Sequence, residues 1–324
     1  MIVSVTPNPV LDRTLTVERI LFDEVTRATA VQLDWGGKGF NVSRALQALG
    51  LESVAMGFVG GATGEVLERG LRELSIGTDF VTINGDTRSN IVVREEGSQR
   101  YVKVNEPGPT IQPQEMAGFV ARVTGKVQSG DIWVLAGSLP PGLPADFYAR
   151  LIGIVRERGG RPFLDTSGEP LRLGCAAAPT LVKPNAVEAT EMTGCQINSL
   201  ITEAPDRPPR GSLQAARHFL DLGIEIVALS LGADGLLLAS GEEMVWARPP
   251  AVQALNPTGA GDALLAGLIF GLVQDLPLEE VARWGVASGT SSAMGQGVGA
   301  GTLSEVQSWY RRVETMSAPC WGGR

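Results

Sequence analysis

The chain has 324 residues, of which 44% are hydrophobic and 19% are charged, so it can bury a large core without disulfides or metals. Its formal net charge of −8 argues against nucleic-acid binding and against adhesion to anionic membranes. The three cysteines are widely spaced, and no apolar run approaches the roughly 18 residues of a membrane span. These features, with no basic targeting segment at the start of the sequence, predict a cytoplasmic protein.

Apolar runs of strand length alternate with segments of helical period along most of the chain. The predicted strands are residues 2–5, 53–59, 132–136, 162–165, 180–182 and 224–231. The predicted helices are a segment that ends at Leu49 and residues 65–74, 114–127, 145–158, 213–222, 261–272, 278–294 and 304–315. This alternation predicts an α/β fold in which helices cover both faces of a mostly parallel central sheet.

Two parts of the chain interrupt the alternation with short strand patterns bounded by turn signals. These patterns are residues 15–17, 30–35, 79–83, 89–94 and 100–104. We expect them to form a small β-sheet lid, made roughly of residues 13–35 and 79–106. Because the sequence has no internal repeat and no low-complexity linker, we predict a single domain over residues 1–324 that carries this lid.

Several common chemistries are excluded by the sequence. None of the four lysines lies in a Walker A loop, the glycines of residues 57–64 lack the dinucleotide-binding spacing, and there is no Gly-x-Ser-x-Gly elbow. The single histidine, His218, lies in an amphipathic stretch and is interpreted as a helix-surface residue. One histidine also excludes the commonest zinc sites and a Ser-His-Asp triad.

The strongest positive signal is the run NPTGAGDA at residues 256–263, which leads into an apolar helical pattern. Unpaired amides at a helix N-terminus form a site for phosphate, and Gly259 and Gly261 would allow close approach. Asp262, in the first turn, has two interpretations that the spacing alone leaves equal. It is either a helix-capping carboxylate or a general base beside a phosphate cradle, as phosphoryl transfer requires.

A second signal is the glycine turn GGKGFN at residues 36–41, which opens the first predicted helix. It carries Lys38 and Asn41, although the same sequence also suits a purely structural turn. Its position, at the start of a predicted helix, is where open α/β sheets bind ligands.

Two weaker signals occupy similar positions later in the chain. The run KPN at residues 183–185 precedes Glu188, and Asn185 is alternatively a simple helix N-cap. The run SLGADG at residues 230–235 closes an apolar strand and is alternatively only a hairpin. Each signal is weak by itself, and it is their common location at one edge of the predicted sheet that favours a ligand site.

These motifs resemble a known family. The run GGKGFNVS at residues 36–43, with Gly50 and Gly60 downstream, resembles the N-terminal signature of the ribokinase/PfkB sugar kinases. The run NPTGAGD at residues 256–262 resembles the C-terminal signature of the same family, and the similarity extends from Ile2 to about residue 315. The pair Asn-Pro at the start of that run departs from the acidic or polar residue of many members. It precedes the anion hole and leaves the catalytic residues intact.

The resemblance implies a ribokinase-like fold and a set of catalytic and sugar-binding residues. Asp262 would be the base that deprotonates the acceptor hydroxyl, and Gly259, Ala260 and Gly261 would form the anion hole for the transferring phosphate. Asp12 would hold sugar hydroxyls. Two further residues would pack on the sugar, namely Gly37 and Asn41.

The resemblance also implies ATP and Mg²⁺ as cofactors. Asn185 and Glu188 match an Asn-x-x-Glu element that positions Mg²⁺ through its waters. The ATP-binding residues implied in this way are Lys183, Asn185, Ser230, Gly232, Gly235 and Thr258.

Within the family, the sequence is most similar to the branch that phosphorylates hexose phosphates. The segments that carry this similarity are residues 6–9, 87–90, 105–109 and 137–142, and they add Arg88, Asn90 and Ser138 to the predicted substrate site. Lys38 stands where kinases of plain sugars usually have a small residue. Together with Arg88 from the lid and Arg27, it would supply local positive charge for a sugar phosphate, although Arg27 also suits a solvent-facing position.

The resulting hypothesis is ATP-dependent phosphorylation of a ketohexose phosphate, first of all of fructose 1-phosphate at its 6-hydroxyl. The alternatives are tagatose 6-phosphate or fructose 6-phosphate as substrate, or a non-catalytic sensor of nucleotides or sugar phosphates on the same fold. A sensor needs no base, so the intact run at residues 259–262 argues against it. Family analogy further points to a homodimer formed through the lid.

Overall fold

The computed structural model of the protein describes residues 1–98, 100–198, 207–241, 243–252, 254–256, 258–295 and 301–317. Its strands are β1 (Ile2–Thr6), β2 (Val10–Val17), β3 (Ala28–Gly36), β4 (Val54–Val59), β5 (Gly77–Thr78), β6 (Val81–Thr82), β7 (Arg88–Glu95), β8 (Tyr101–Asn105), β9 (Ile132–Ala136), β10 (Arg161–Asp165), β11 (Leu181–Val182), β12 (Ile226–Ser230), β13 (Leu236–Ser240), β14 (Glu243–Arg248) and β15 (Glu314–Ser317). Its helices are α1 (Lys38–Ala48), α2 (Gly61–Glu73), α3 (Pro113–Lys126), α4 (Phe147–Glu157), α5 (Gly168–Ala176), α6 (Ala186–Thr193), α7 (Ser212–Asp221), α8 (Ala260–Val273), α9 (Leu278–Met294) and α10 (Leu303–Tyr310).

The large sheet is mostly parallel, as the alternation of strand and helix patterns predicted. Its strand order is β15-β14-β13-β12-β11-β10-β9-β1-β4-β5, and β6 also pairs with β4. The strands from β12 to β5 run parallel, whereas β12, β13, β14 and β15 pair in antiparallel fashion at one edge. Parallel strands need crossover helices, and those helices cover both faces of the sheet.

The core consists of two layers of apolar side chains, one on each face of the large sheet. Successive strand residues point to opposite faces, so Trp133 and Leu135 of β9 pack in one layer while Ile132 and Val134 pack in the other. The first layer lies under α3 to α7, and the second lies under α1, α8, α9 and α10, with α2 packed beside α1. No helix among the described residues is long and apolar enough to cross a bilayer.

A separate small sheet has the strand order β3-β2-β7-β8. It confirms the predicted strands at residues 15–17, 30–35, 89–94 and 100–104. The fifth pattern, at residues 79–83, was wrongly assigned to this sheet, because β6 pairs parallel to β4 of the large sheet. Phe80 is buried in the apolar cluster beside α1 and α2, and Ile83 is buried in the core layer under α3 to α7. The apolar residues of this segment therefore pack with the large sheet, and the small sheet resumes only at Arg88.

The predicted helix at residues 304–315 is wrong at its C-terminal end. Helix α10 ends at Tyr310, and after a turn the chain forms β15 against β14. Val313 is buried in the turn, and the Thr315 hydroxyl donates to Glu279 of α9. Val313 packs in the same core layer as Val306 of α10, so the apolar pattern continues through the turn. Such a pattern does not show that the backbone changes from helix to strand.

Candidate active site

The N-termini of α1 and α8 meet at the carboxyl edge of the large sheet, and glycine makes both helix starts possible. Gly37 is the N-cap of α1 with φ 131°, and a Cβ there would lie 2.6 Å from Thr6 Cγ2. Gly259 is the N-cap of α8 with φ 81°. Both conformations lie where L side chains are strained, so the glycines allow the first amides of each helix to face one space.

Asp262 lies in the first turn of α8 and is held by Asn41 from the first turn of α1. The Asn41 side-chain amide donates to Asp262 Oδ2 at 2.8 Å. Among the described residues, no backbone amide of the first turn of α8 donates to the Asp262 carboxylate, which is directed to Asn41 of the other helix. This geometry favours the general-base interpretation over the capping one.

The electrostatic setting of Asp262 suits a base that works near neutral pH. Asp262 is buried, with 7% of its surface exposed. Burial first, and then the neighbouring Asp165 carboxylate, raise the pKa of Asp262 to about 6, although Asn41, Lys183 and Lys38 act in the opposite direction. A carboxylate with a raised pKa is a stronger proton acceptor and is still ionised at pH 7.

Asp165, at the end of β10, is wholly buried and binds two lysines. Lys38 Nζ donates to its Oδ1 at 2.8 Å, and Lys183 Nζ lies 3.0 Å from its Oδ2. Burial alone would raise the pKa of Asp165, but Lys183 and Lys38 outweigh burial and hold this pKa below its ordinary value. Sequence analysis missed Asp165, although a carboxylate that closes an apolar strand was the available signal.

A pocket of about 580 Å³ lies beside the N-terminus of α8. It is lined mainly by apolar side chains, among them Val252, Leu264 and Val286, and by a few polar residues such as Thr290. An apolar pocket with a few polar groups suits a base ring joined to phosphates. Residues from the predicted nucleotide site and anion hole that line it are Asn185, Ser230, Gly232, Gly235, Ala260 and Gly261.

The remaining predicted ATP-binding residues lie close to this pocket. Lys183 borders the start of α8, since a Cβ on Gly261 would lie 3.4 Å from Lys183 Nζ. Thr258 lies in the loop before α8, where its amide donates to Asn256 Oδ1 at 3.0 Å. The asparagine that departs from the family pattern thus stabilises this loop. Pro257, which belongs to the same motif, lies outside the described residues.

Asn185 and Glu188 cap helix α6 reciprocally. The Glu188 amide donates to Asn185 Oδ1, and the Asn185 amide donates to Glu188 Oε2, both at 2.9 Å. The helix N-cap role that the sequence also suggested for Asn185 is therefore observed. It does not compete with ligand binding, because a side-chain oxygen has two lone pairs and the second carboxylate oxygen of Glu188 is not used by the cap.

The polar face of the small sheet supplies the other wall of the site. Asn90 of β7 donates to Asp12 Oδ1 of β2 at 2.9 Å, and burial raises the pKa of Asp12. Asn90 Oδ1 is buried and has no hydrogen-bond partner among the described residues. A buried acceptor without a partner is costly, so this oxygen suits a hydroxyl donor from a ligand.

Arg88 lies at the start of β7 and is fixed by backbone carbonyls. It donates to the carbonyl oxygens of Glu106 at 3.0 Å and Asn8 at 3.1 Å. Asn8 in turn donates to Ser138 Oγ at 3.4 Å, which brings that predicted substrate residue to the same place. Lys103 of β8, which sequence analysis missed, acts electrostatically on Asp12 together with Arg88.

Different carboxylates act on the two predicted phosphate-binding cations of the core and the small sheet. Asp165, Glu188 and Asp262 raise the pKa of Lys38, whereas Asp12 and Glu106 act to raise the pKa of Arg88. Arg27 lies in the exposed segment between β2 and β3.

Comparison with known proteins agrees with this geometry. The chain matches the family described as pfkB family carbohydrate kinase over residues 7–305. A 1-phosphofructokinase of Bacillus subtilis is 37% identical over 299 residues, which cover 92% of this chain and 94% of the relative. A tagatose-6-phosphate kinase of Staphylococcus epidermidis is 30% identical over 318 residues, covering 98% and 99%. The tetrameric inhibited form of phosphofructokinase-2 from Escherichia coli superposes with a TM-score of 0.86 at 30% identity, covering 96% of this chain and 98% of that chain.

Proposed function

The chain belongs to the pfkB family of carbohydrate kinases, and we propose that it transfers a phosphoryl group from ATP to the 6-hydroxyl of fructose 1-phosphate. The observation that carries this proposal is the 37% identity to a 1-phosphofructokinase over 92% of the chain. The site supports it with a buried carboxylate at a helix N-terminus, between a nucleotide-sized pocket and a polar wall that carries fixed cations.

In the proposed reaction, the sugar hydroxyl oxygen bonds to the γ-phosphorus of ATP as the bond to the ADP oxygen breaks. Asp262 accepts the hydroxyl proton, and Asn41 keeps the carboxylate in place. The first amides of α8, at Gly259, Ala260 and Gly261, donate to the transferring phosphoryl oxygens, because they have no partner within the helix. The sugar hydroxyls bind to Asp12 and to the free oxygen of Asn90.

Mg²⁺ is proposed as the cofactor because the available donors fit its chemistry. No cluster of three or more metal-binding side chains occurs among the described residues. Mg²⁺ commonly keeps several waters and takes one or two carboxylates together with substrate phosphates. Asn185, which lines the nucleotide pocket, and its capping partner Glu188 present hard oxygen donors and would hold the ion through water. When bound there, Mg²⁺ neutralises charge on the ATP phosphates.

Tagatose 6-phosphate is the second candidate substrate, since a tagatose-6-phosphate kinase is 30% identical over 98% of the chain. Both substrates have a primary hydroxyl at one end and a phosphate at the other, so one arrangement of base and cations suits either. Fructose 6-phosphate has the same property and is the third candidate.

An ADP-release assay with these three sugar phosphates tests the proposal. We expect kcat/KM for fructose 1-phosphate to exceed the other values by about 10-fold or more, as one additional well-placed charged contact would give. The Asp262→Asn variant measures the background hydrolysis of ATP. A higher value for tagatose 6-phosphate would transfer the assignment to that substrate, and no sugar-dependent ADP release would refute the kinase proposal.

Self-association through the small sheet is also proposed. Side chains alternate along its strands, so the face opposite Asp12 and Asn90 carries a different set of residues. That face is mainly apolar around one exposed charged residue, Arg13, which pairs with Leu33 and Ile91 in the strand register. Its exposed apolar members, each 38% to 57% exposed, are Val31, Leu33, Ile91, Val102 and Val104. An apolar patch across adjacent strands is typical of an interface, and a similar E. coli structure is described as tetrameric. We propose that a second copy of this chain packs against this face.

A further inference from the structure

Asn8 lies where the chain passes from the large sheet to the small sheet. It follows β1 of the large sheet and precedes β2 of the small sheet, and only 5% of its surface is exposed. Its side-chain amide donates to the carbonyl oxygen of Pro107 at 3.1 Å and to Ser138 Oγ at 3.4 Å. Pro107 follows β8 of the small sheet, and Ser138 follows β9 of the large sheet. One buried amide therefore joins three chain segments from both sheets.

Asn8 also determines where Arg88 lies. Arg88, the small-sheet cation that the sequence assigned to the phosphate on the sugar, donates to the main-chain oxygens of Asn8 at 3.1 Å and Glu106 at 3.0 Å. Glu106 directly precedes Pro107, so the bond from the Asn8 amide to Pro107 also holds the segment that carries the second acceptor. Both acceptors of Arg88 are therefore fixed through Asn8: one is its own carbonyl, and the other lies next to the residue that its side chain binds.

Gly108 packs directly against the Asn8 side chain. It has φ 97°, and a Cβ at this position would overlap Asn8 Oδ1. Only glycine adopts this backbone conformation without strain and leaves room for the asparagine. The Asn8 amide thus lies between Gly108 and its own hydrogen-bond acceptors, and this contact restricts its rotation.

The asparagine carries a cost that a purely structural link would avoid. Asn8 Oδ1 is buried and has no hydrogen-bond partner in the part of the chain that the structure describes. An unpaired buried acceptor is destabilising, and an apolar side chain could fill the same space without this penalty. Arg88 Nε, in the same cluster, is buried and unpartnered within the same described residues. A fold that retains two such groups together indicates a polar arrangement kept for binding.

We propose that Asn8 is a positioning residue that sets the affinity for the phosphate already present on the sugar, because it fixes the two carbonyls that orient Arg88. This proposal rests on the proposed kinase function. A guanidinium held in one orientation loses less conformational freedom when it binds a phosphate. Asp262, the proposed base, lies on α8 and makes no contact with this cluster in the described hydrogen bonds, so Asn8 acts on substrate binding and not on the chemical step.

The test is a double-mutant cycle between Asn8→Ala and Arg88→Met, on the sugar phosphate that the unmodified protein uses best. Asn8→Ala keeps the main-chain acceptor of Arg88 but releases the Pro107 carbonyl. We expect it to raise KM for the sugar phosphate about 10-fold and to leave kcat within about threefold. Arg88→Met should raise KM further. In the double variant, KM should stay within about threefold of the Arg88→Met value, since Asn8 acts through Arg88.

Gly108→Ala tests the same amide from a different segment of the chain. Its methyl group would displace the Asn8 side chain, so KM should rise about 10-fold here too. Gly97→Ala is the matched control, because Gly97 also has a positive φ, 67°, but has open space around it. It should leave KM unchanged. Gly108→Ala, combined with Arg88→Met in the same cycle, decides the question if Asn8→Ala does not fold.

A merely structural role for Asn8 would give different results. Calorimetric affinity for ATP should be the same in Asn8→Ala and in the unmodified protein, whereas general loss of structure would lower it. The proposal is overturned if the KM effects of Asn8→Ala and Arg88→Met multiply in the double variant, if Asn8→Ala leaves KM unchanged, or if it lowers ATP affinity and kcat together. Failure of the proposed function is seen separately, as an unmodified protein that releases no ADP with any of the three sugar phosphates.

Discussion

Asn41 and Asp262 are 221 positions apart in the chain, yet the Asn41 side-chain amide donates a 2.8 Å hydrogen bond to the Asp262 carboxylate. The bond joins the first turns of two helices that pack side by side on the same face of the large sheet. It engages one carboxylate oxygen and so restricts the rotation of the group. The Asp262 carboxylate is thus oriented by the packing of α1 against α8, and this bond joins the two signature motifs.

Replacing the base should abolish most of the activity. Asp262→Asn is expected to lower kcat by roughly 10²- to 10⁴-fold, because the amide cannot accept the hydroxyl proton. Affinities for ATP and for the sugar phosphate should change far less, since the variant keeps the shape and burial of the side chain. Steady-state kinetics and calorimetry measure the two effects. Asp275→Asn, exposed just beyond the end of α8, is the matched control, and a near-normal kcat in Asp262→Asn would restore the capping interpretation.

The pH dependence of kcat should report the state of Asp262. The rate is expected to fall as pH drops through about 6, because the protonated carboxyl can no longer accept a proton. Asn41→Ala removes a hydrogen bond that lowers the pKa of Asp262, so the acid limb should move to higher pH. Gln47→Ala, on the exposed side of α1, is the control. An acid limb that stays in place in Asn41→Ala would contradict the role given to this bond.

The small sheet is predicted to close over the sugar. Its polar face carries Asp12 and Asn90, and closure would exclude the water that otherwise hydrolyses ATP. Amide hydrogen exchange in β7 and β8 should therefore slow when the sugar phosphate is added. The amides of α3, which lies on the large sheet, provide the internal reference. Unchanged protection of β7 and β8 at saturating substrate would argue against a lid.

Charge placed on the apolar face of the small sheet should break the proposed self-association. Val104 is 57% exposed on β8, so Val104→Glu changes little within the monomer but buries a carboxylate at the interface. Sedimentation should show a smaller mass for this variant than for the unmodified protein. Leu222→Glu, at an exposed apolar position after α7, should have no such effect. A monomeric unmodified protein would refute the proposed interface.

The contact between α8 and α9 should be sensitive to a single methyl group. A Cβ on Gly267 would lie 2.4 Å from the Trp284 carbonyl oxygen and 2.5 Å from Ser288 Oγ. Gly267→Ala should therefore destabilise the protein by about 1–3 kcal/mol, the usual cost of overpacking. Gly118→Ala, within α3 and with open space around it, should stabilise by about 0.5–1 kcal/mol. Thermal unfolding measures both, and equal midpoints would show that α9 can move to make room.

Periodicity predicted the parallel core well because each crossover helix and strand has its own local pattern. The predicted strand at residues 132–136 and the predicted helix at residues 278–294 coincide with β9 and α9. The sheet to which β6 belongs was harder to predict. Residues 79–83 and 100–104 are strand patterns of the same length, yet the first pairs with the large sheet and the second with the small sheet. Only the burial of Phe80 and Ile83 against elements of the large sheet decides between them, and burial is a tertiary property.

The family and the positions of Asp262 and Asn185 could be predicted from local motifs, and the family is confirmed by comparison. The partner of Lys38 could not be predicted. Lys38 and Asp165 are 127 positions apart, and no local pattern indicates that a lysine in a glycine turn reaches the end of β10. Lys103 was missed for a similar reason, since its electrostatic effect on Asp12 depends on the register of three strands.

The short strand β15 has a consequence for the behaviour of the protein in concentrated solution. It is the outermost strand of the large sheet among the described residues, and it occupies the backbone donors and acceptors that β14 would otherwise expose. An open edge next to buried apolar strands is a template on which other chains add, and this leads to aggregation. The opposite edge of the sheet is β5, which has only two residues and therefore exposes few backbone donors and acceptors to another chain. Both margins of the sheet are therefore poorly suited to edge-to-edge growth.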